Sequence, residues 1–219
     1  MSPTESELFR TFYANADPVQ AEPMAAYMKN VCPFLGIPRP KRTALSKEFI
    51  KRSKKAGTVD WAFVDKCWSM EREFQYLALE YLRVKAHLLT ADDIPKLREL
   101  AVTKSWWDTI DCLDRIVGAI ALNDPVVNDT LLLWSTDDNF WLRRIAIDHQ
   151  LLRKEKTDTV LLEKILVNNL DQKEFFINKA IGWSLREYSK TNPDWVRTFI
   201  AEHKERLASL SIREASKYV

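Results

Sequence analysis

The sequence predicts an all-α chain of short helix pairs stacked as a two-helix solenoid, and three observations predict it. Glycine occurs only four times in 219 residues, whereas β-rich folds need many glycine turns. Helix-start signals recur along the chain, and no stretch alternates convincingly as a strand. An aromatic near a helix start returns at Phe74, Trp106-Trp107, Phe140-Trp141 and Phe175-Phe176, a period of about 33 to 35 residues that falls within the range of two-helix repeats. One domain over residues 1–219 is expected.

In chain order, amphipathic runs cover 4–14 and 23–32, with Asp17-Pro18 between them fitting an N-cap followed by proline at the first helical position. Runs at 40–55, 59–69 and 71–86 follow. Thr90 with Asp93 and Ser105 with Asp108 fit capping boxes for runs at 92–101 and 106–122. Asp124-Pro125 opens 125–134, and further runs occupy 138–154, 158–169 and 173–190. Asn192-Pro193 opens 193–206, and Ser211 with Glu214 fits a last box for 211–217. The connections are short, so neighbouring helices should be antiparallel.

Composition excludes several classes. Hydrophobic residues at 46% and charged residues at 29% describe an ordinary folded chain rather than a disordered one. A net charge of +2 does not demand nucleic acid, but it permits a local basic face. No apolar run approaches the roughly 18 residues of a membrane helix. The polar, acidic start MSPTESELFR is neither a secretory nor a transit segment. Cys32, Cys67 and Cys112 show no C-x-x-C spacing and suit a reducing compartment, so a cytoplasmic location is expected. His87, His149 and His203 have no metal or catalytic spacing, and neither a metal nor another cofactor is expected.

The stretch KSWWDTIDCL, residues 104–113, sets two tryptophans beside two acids. Asp108 is placed to close the box with Ser105 near the positive end of the helix dipole. Trp106, Ile110, Leu113 and Val117 form a buried stripe, which makes Trp106 a core residue. Trp107, Asp111, Asp114 and Gly118 lie on the adjacent face, with Trp107 and Asp111 one turn apart. Two readings stand for that face: packing with a surface Asp111–Arg115 pair, or a functional aromatic and carboxylate. Farther on, Ile177, Ile181, Leu185 and Tyr188 make an apolar stripe, while Lys179, Trp183, Arg186 and Lys190 share another face. A tryptophan among three cations suits either cover by long basic side chains or an aromatic platform in a basic track for a sugar-phosphate backbone. Arg143-Arg144 just after Trp141, together with Arg39, Lys41, Arg42 and KRSKK at 51–55, adds to such a track.

AEPMAAYMKN (21–30), FLGI (34–37), VTKSWWDTID (102–111), NFWLRR (139–144), KEFFINKAIGWSLREYSKTNPD (173–194) and SIREASK (211–217) together resemble the AlkD family of bacterial DNA glycosylases, over nearly the whole chain and in order. The resemblance implies a right-handed superhelical solenoid of HEAT-like helix pairs with a cationic concave groove for duplex DNA. It implies excision of cationic N-alkylated purines such as 3-methyladenine and 7-methylguanine, without a metal, by a protein expected to be monomeric and associated with the bacterial nucleoid. It assigns the catalytic trio to Trp107, Asp111 and Trp183. It places Arg144 and Arg186 in the groove and Tyr27 against the DNA near the lesion; Lys179, Arg143 and Lys104 complete the expected DNA-contacting set.

The chemistry expected of that trio is electrostatic. Alkylation makes the purine a cationic leaving group, and positive charge moves to the deoxyribose as the glycosidic bond breaks. A carboxylate aimed at that charge and two indole faces beside it would stabilise it. Most glycosylases turn the base into a deep pocket, but no glycine-rich or loop-borne pocket motif is present here. The chain departs from the family at Pro38-Arg39-Pro40, where the family carries a polar Gln-Thr, and at Leu113–Arg115, where the family is more apolar. Arg115 is expected to pair away from Asp111, because Asp114 is its immediate neighbour. A non-catalytic HEAT-like DNA-binding protein and a protein-interaction solenoid are the alternatives; the presence of AEPMAAYMKN and the cations around Trp183 weigh toward the enzyme.

Overall fold

The protein is described by a computed structural model over residues 3–218. The described residues are helical throughout, with no strand. They group into two compact units: residues 3–89 with 103–109, and residues 90–102 with 110–218.

The first unit holds α1 (Pro3–Ala14), α2 (Pro18–Tyr27), α3 (Arg39–Ser53), α4 (Trp61–Ser69) and α5 (Arg72–Val84). Asp17 caps α2 by accepting from the Val19 and Gln20 N–H groups, so this helix starts at the Asp17-Pro18 signal rather than at residue 23 and ends at Tyr27. Two residues join α4 to α5, and the two pack together. The core is aromatic: Phe9 meets Phe74 edge-on with centroids 4.9 Å apart, and Phe63 meets Tyr81 at 5.1 Å.

Beneath that core Glu73 is fully buried, yet satisfied. Its carboxylate accepts the N–H groups of Leu35, Gly36 and Ile37 at 2.9, 2.9 and 3.0 Å. Gly36 has φ +81°, and a Cβ there would lie 2.0 Å from the Asp17 carbonyl oxygen, so only glycine lets the 34–37 segment pass so close to the start of α2. Helix α3, with Pro38 at its N-cap, has no side-chain cap.

The second unit holds α6 (Ile94–Val102), most of α7 (Trp107–Asn123), α8 (Val127–Trp134), α9 (Phe140–Asp148), α10 (Thr159–Val167), α11 (Phe175–Ser189), α12 (Pro193–Glu202) and α13 (Ser209–Ala215). Side-chain caps come from Asn139, Asp158 and Asn192. Ile110, Leu113 and Val117 of α7 and Ile177, Ile181 and Leu185 of α11 are buried, as their spacing predicts, whereas Tyr188 at the end of the second stripe is half-buried; Leu142 and Ile145 of α9 are buried as well. Helix α11 is central, packing on α9, α12 and α13. Gly182 makes the last contact possible, because a Cβ there would lie 2.6 Å from the Glu214 Cβ.

Four expectations are corrected. Helix α9 stops at Asp148 instead of running to 154; turns and a 3₁₀ segment at Lys154–Lys156 follow. Asp124-Pro125 opens a turn, with α8 beginning at Val127. Ser211 and Glu214 do not box α13, which begins at Ser209 without a side-chain cap: the Ser211 hydroxyl donates to the Asn178 carbonyl, and Glu214 serves other partners. Trp106 precedes α7 and is half-buried rather than core. No helix among the described residues is long and apolar enough to cross a membrane.

Candidate functional site

In the second unit three predicted residues come together. Asp111, in the second turn of α7, accepts from the Nε–H of Arg144 on α9 at 2.9 Å. Arg144 also donates to the Phe176 carbonyl at 2.7 Å, and its Cζ lies 5.3 Å from the centroid of the Trp183 ring on α11. One guanidinium thus ties the carboxylate to the indole. Its side chain is 2% exposed, whereas that of Asp111 is 24% exposed. This arrangement departs from the sequence-derived one in two respects. Asp111 is ion-paired, and Arg144 faces inward rather than standing free for a phosphate.

Around Trp183 the predicted cations are present. Lys179 Nζ and Arg186 Cζ lie 5.5 and 6.0 Å from the ring centroid. Both are anchored by a residue that the sequence assigned to a capping box. Glu214 of α13 accepts from Lys179 at 2.9 Å and from Arg186 and Lys217 at 2.8 Å. Hydrogen bonds from Lys217 and Lys179 hold its carboxyl down at about 2. Lys190, fourth on the predicted stripe, pairs instead with Glu187. Arg143 is half-buried, and no ion-pair partner for it exists among the described residues.

Two further aspartates back the Asp111–Arg144 pair. Asp114 and Asp148 are 1% exposed, and their carboxylate oxygens and that of Asp111 all lie within 4.8 Å of one another. Asp148 Oδ2 is 3.7 Å from Arg144 NH2, and Asp114 Oδ1 is 3.7 Å from Arg115 Nε. Arg115 therefore pairs with Asp114 and leaves Asp111 to Arg144. Burial pulls the Arg144 pKa down, but Asp148, the bond to Asp111 and Asp114 outweigh it and the net displacement is upward. The available sequence signal for Asp148 was an acid closing the apolar run Ile145–Ile147. Donor atoms close enough to share a cation occur in two places among the described residues. One is Glu163, Glu202 and His203; the other is this trio of aspartates, where Arg144 already supplies the positive charge.

The remaining predicted residues lie in the first unit. Trp107 is the first residue of α7 and is half-buried. Tyr27 ends α2 and is 72% exposed, an open aromatic at a helix terminus. Lys104, expected on DNA, is engaged within the protein. Its ammonium donates to the carbonyls of Trp68, Ser69 and Met70 at 3.1, 2.9 and 3.1 Å and so caps the end of α4. Asp108 accepts two hydrogen bonds from the fully buried Arg72, at 3.0 and 2.8 Å, and one from the Tyr76 hydroxyl at 2.5 Å. Burial and Asp108 push the Tyr76 hydroxyl upward, and the Arg42 guanidinium lies 4.2 Å over its ring.

A search of the curated proteins finds no match. A solved structure from Enterococcus faecalis, described as a predicted DNA alkylation repair enzyme, is 36% identical, with a TM-score of 0.83 over 93% of this chain and 96% of its own. The two share one fold. The family of DNA alkylation repair enzymes matches residues 8–219, and with that span the chain belongs to this family.

Proposed function

We propose that the protein is a monofunctional DNA N-glycosylase that removes cationic N-alkylated purines, 3-methyladenine and 7-methylguanine among them, from duplex DNA. It works as one HEAT-like domain over 1–219 and as a monomer. The observation that carries the reading is the coupling of a partly exposed carboxylate, Asp111, to the Trp183 ring through Arg144.

In the reaction the bond between C1′ and the alkylated nitrogen breaks, and its electron pair leaves with the base, which becomes neutral. Positive charge develops on C1′ and the ring oxygen of the sugar. Asp111 stabilises that charge, and preorganised electrostatics of this kind is usually the largest catalytic contribution. Arg144 occupies Oδ1 and fixes the carboxylate plane, which leaves Oδ2 to face the sugar and the attacking water. Water adds to C1′ and gives up a proton, so the products are free base and an abasic site. Trp183 turns an indole face to the cationic sugar, a cation–π contribution of about 0.5–2 kcal/mol. Arg143, Lys179, Arg186 and Tyr27 contact the backbone of the bound duplex.

No deep base pocket is needed for this chemistry. A shallow cleft of about 350 Å³ in the second unit is lined by Gln150, Lys154, Glu187, Tyr188 and Lys190 among others, and includes none of Asp111, Arg144 and Trp183. The test is release of free 7-methylguanine from N-methylated duplex, comparing wild type with Asp111→Asn. Release by the wild type alone supports the enzyme. Duplex binding without release by either makes the protein a non-catalytic DNA-binding member of its family.

A further inference from the structure

We propose that Asp114 and Asp148 share one proton behind Asp111, and that this pair acts as a positioning device setting how firmly Arg144 holds the catalytic carboxylate. The second half of the proposal rests on the glycosylase reading; the first does not.

The geometry requires an explanation of its own. Asp148 is buried at the end of α9, one turn after Arg144, and neither of its carboxylate oxygens has a hydrogen-bond partner among the described residues. Asp114 Oδ1, equally buried, also has none. The nearest cationic nitrogens are 3.7 Å away, beyond hydrogen-bond reach. The charges that bear on Asp148 are Arg144 from its own helix and Asp111, Asp114 and Arg115 from α7; α6, α8, α10 and α11, also packed on α9, add no appreciable one. Three carboxylates therefore face two guanidinium groups, and Arg115 is half-exposed at the edge. Fully ionised, the cluster would bury an unpaired negative charge with bare acceptor oxygens, an arrangement proteins avoid. One proton on the pair removes that charge, and with carboxylate oxygens within 4.8 Å of one another the ionisation of either acid opposes that of the other.

Burial is the main force raising both acids, Asp148 to about 7 and Asp114 well above the usual carboxylate range; each is raised further by neighbouring aspartates and opposed by Arg144 and Arg115. Loss of the shared proton then falls near neutral pH. It places a new anion against Arg144 and draws the guanidinium toward Asp148. The potential at Asp111 becomes more negative, which favours positive charge on the sugar. Excision should rise with pH through about 7 and then level off.

The experiment has two arms on the full chain. Carboxyl ¹³C resonances are titrated by NMR in wild type, Asp114→Asn and Asp148→Asn, and single-turnover release of 7-methylguanine is followed against pH in the same proteins. Two carboxyl signals with midpoints well above the ordinary aspartate range are expected, each variant abolishing one and lowering the other. A several-fold rise in rate across neutral pH is expected in wild type and absent in Asp148→Asn. Ordinary midpoints for both acids would overturn the shared proton. An unchanged pH step in Asp148→Asn would overturn the positioning role. Absence of base release by every protein would instead remove the glycosylase reading and leave the NMR result standing. Two substitutions guard against a folding defect in either one.

Discussion

At the scale of single residues, the central relation is between Asp111 and Arg144. The helical position of Asp111 was legible in the sequence, because W-W-D-T-I-D stands at a helix start. The facing of Arg144 was not. Whether an arginine points to solvent or inward depends on a partner 33 positions away in the chain, and helical periodicity carries no such information. The consequence is measurable. Arg144→Ala should slow excision strongly while leaving the salt dependence of duplex binding nearly unchanged, and should cost about 3–5 kcal/mol of stability by stranding buried aspartates. A flattened salt slope with normal excision would identify it as a phosphate contact instead. Asp148 makes a second prediction. Its folded-state value of about 7 lies above the ordinary aspartate value of 3.8, so the folded chain binds more protons than the unfolded one between those values. Its contribution is favourable below that window and is lost as pH rises through it. Asp148→Asn should therefore be more stable than wild type at pH 8, with the advantage shrinking toward pH 5; denaturant midpoints at the two pH values measure it.

At the scale of elements, thirteen predicted helices correspond to thirteen among the described residues; apolar spacing reports burial in most of them, whereas α2 buries no residue and α3 only Ser46. Ends were less legible where a cap signal has two possible uses. Asp17-Pro18 starts a helix, whereas Asp124-Pro125 starts a turn, and the two dipeptides look alike locally. Glu214 looked like part of a capping box because Ser211 stands three residues before it, but the close approach at Gly182 brings it to Lys179 and Arg186. The first unit yields a further prediction from Glu73, whose carboxylate holds three backbone N–H groups in a buried setting. Glu73→Ala should lose at least about 3 kcal/mol, because donors left unsatisfied cost about 1–3 kcal/mol each. Urea unfolding provides the value, and a loss below about 1 kcal/mol would mean that the 34–37 segment finds other acceptors.

At the scale of the whole molecule, family membership and a shared fold at 36% identity make DNA repair the frame in which the site is interpreted. A net charge of +2 means that duplex affinity must come from a few placed cations rather than from the overall field. Two of the predicted ones are committed within the protein, Lys104 to helix α4 and Arg144 to Asp111. Lys179 and Arg186 keep a share of their charge with Glu214, and Arg143 has no ion-pair partner among the described residues. The logarithmic salt slope for lesion-free duplex should accordingly be shallow, about −2 to −4, and should fall by about one on Arg143→Ala. A slope near about −10 would require a far larger basic surface than these residues supply.

The most direct measurement is single-turnover release of 7-methylguanine from methylated duplex by wild type and Asp111→Asn at equal bound fraction. Wild-type release that falls by orders of magnitude in the variant, with duplex affinity kept, is the predicted result. Equal release by both would contradict the role assigned to the Asp111 carboxylate.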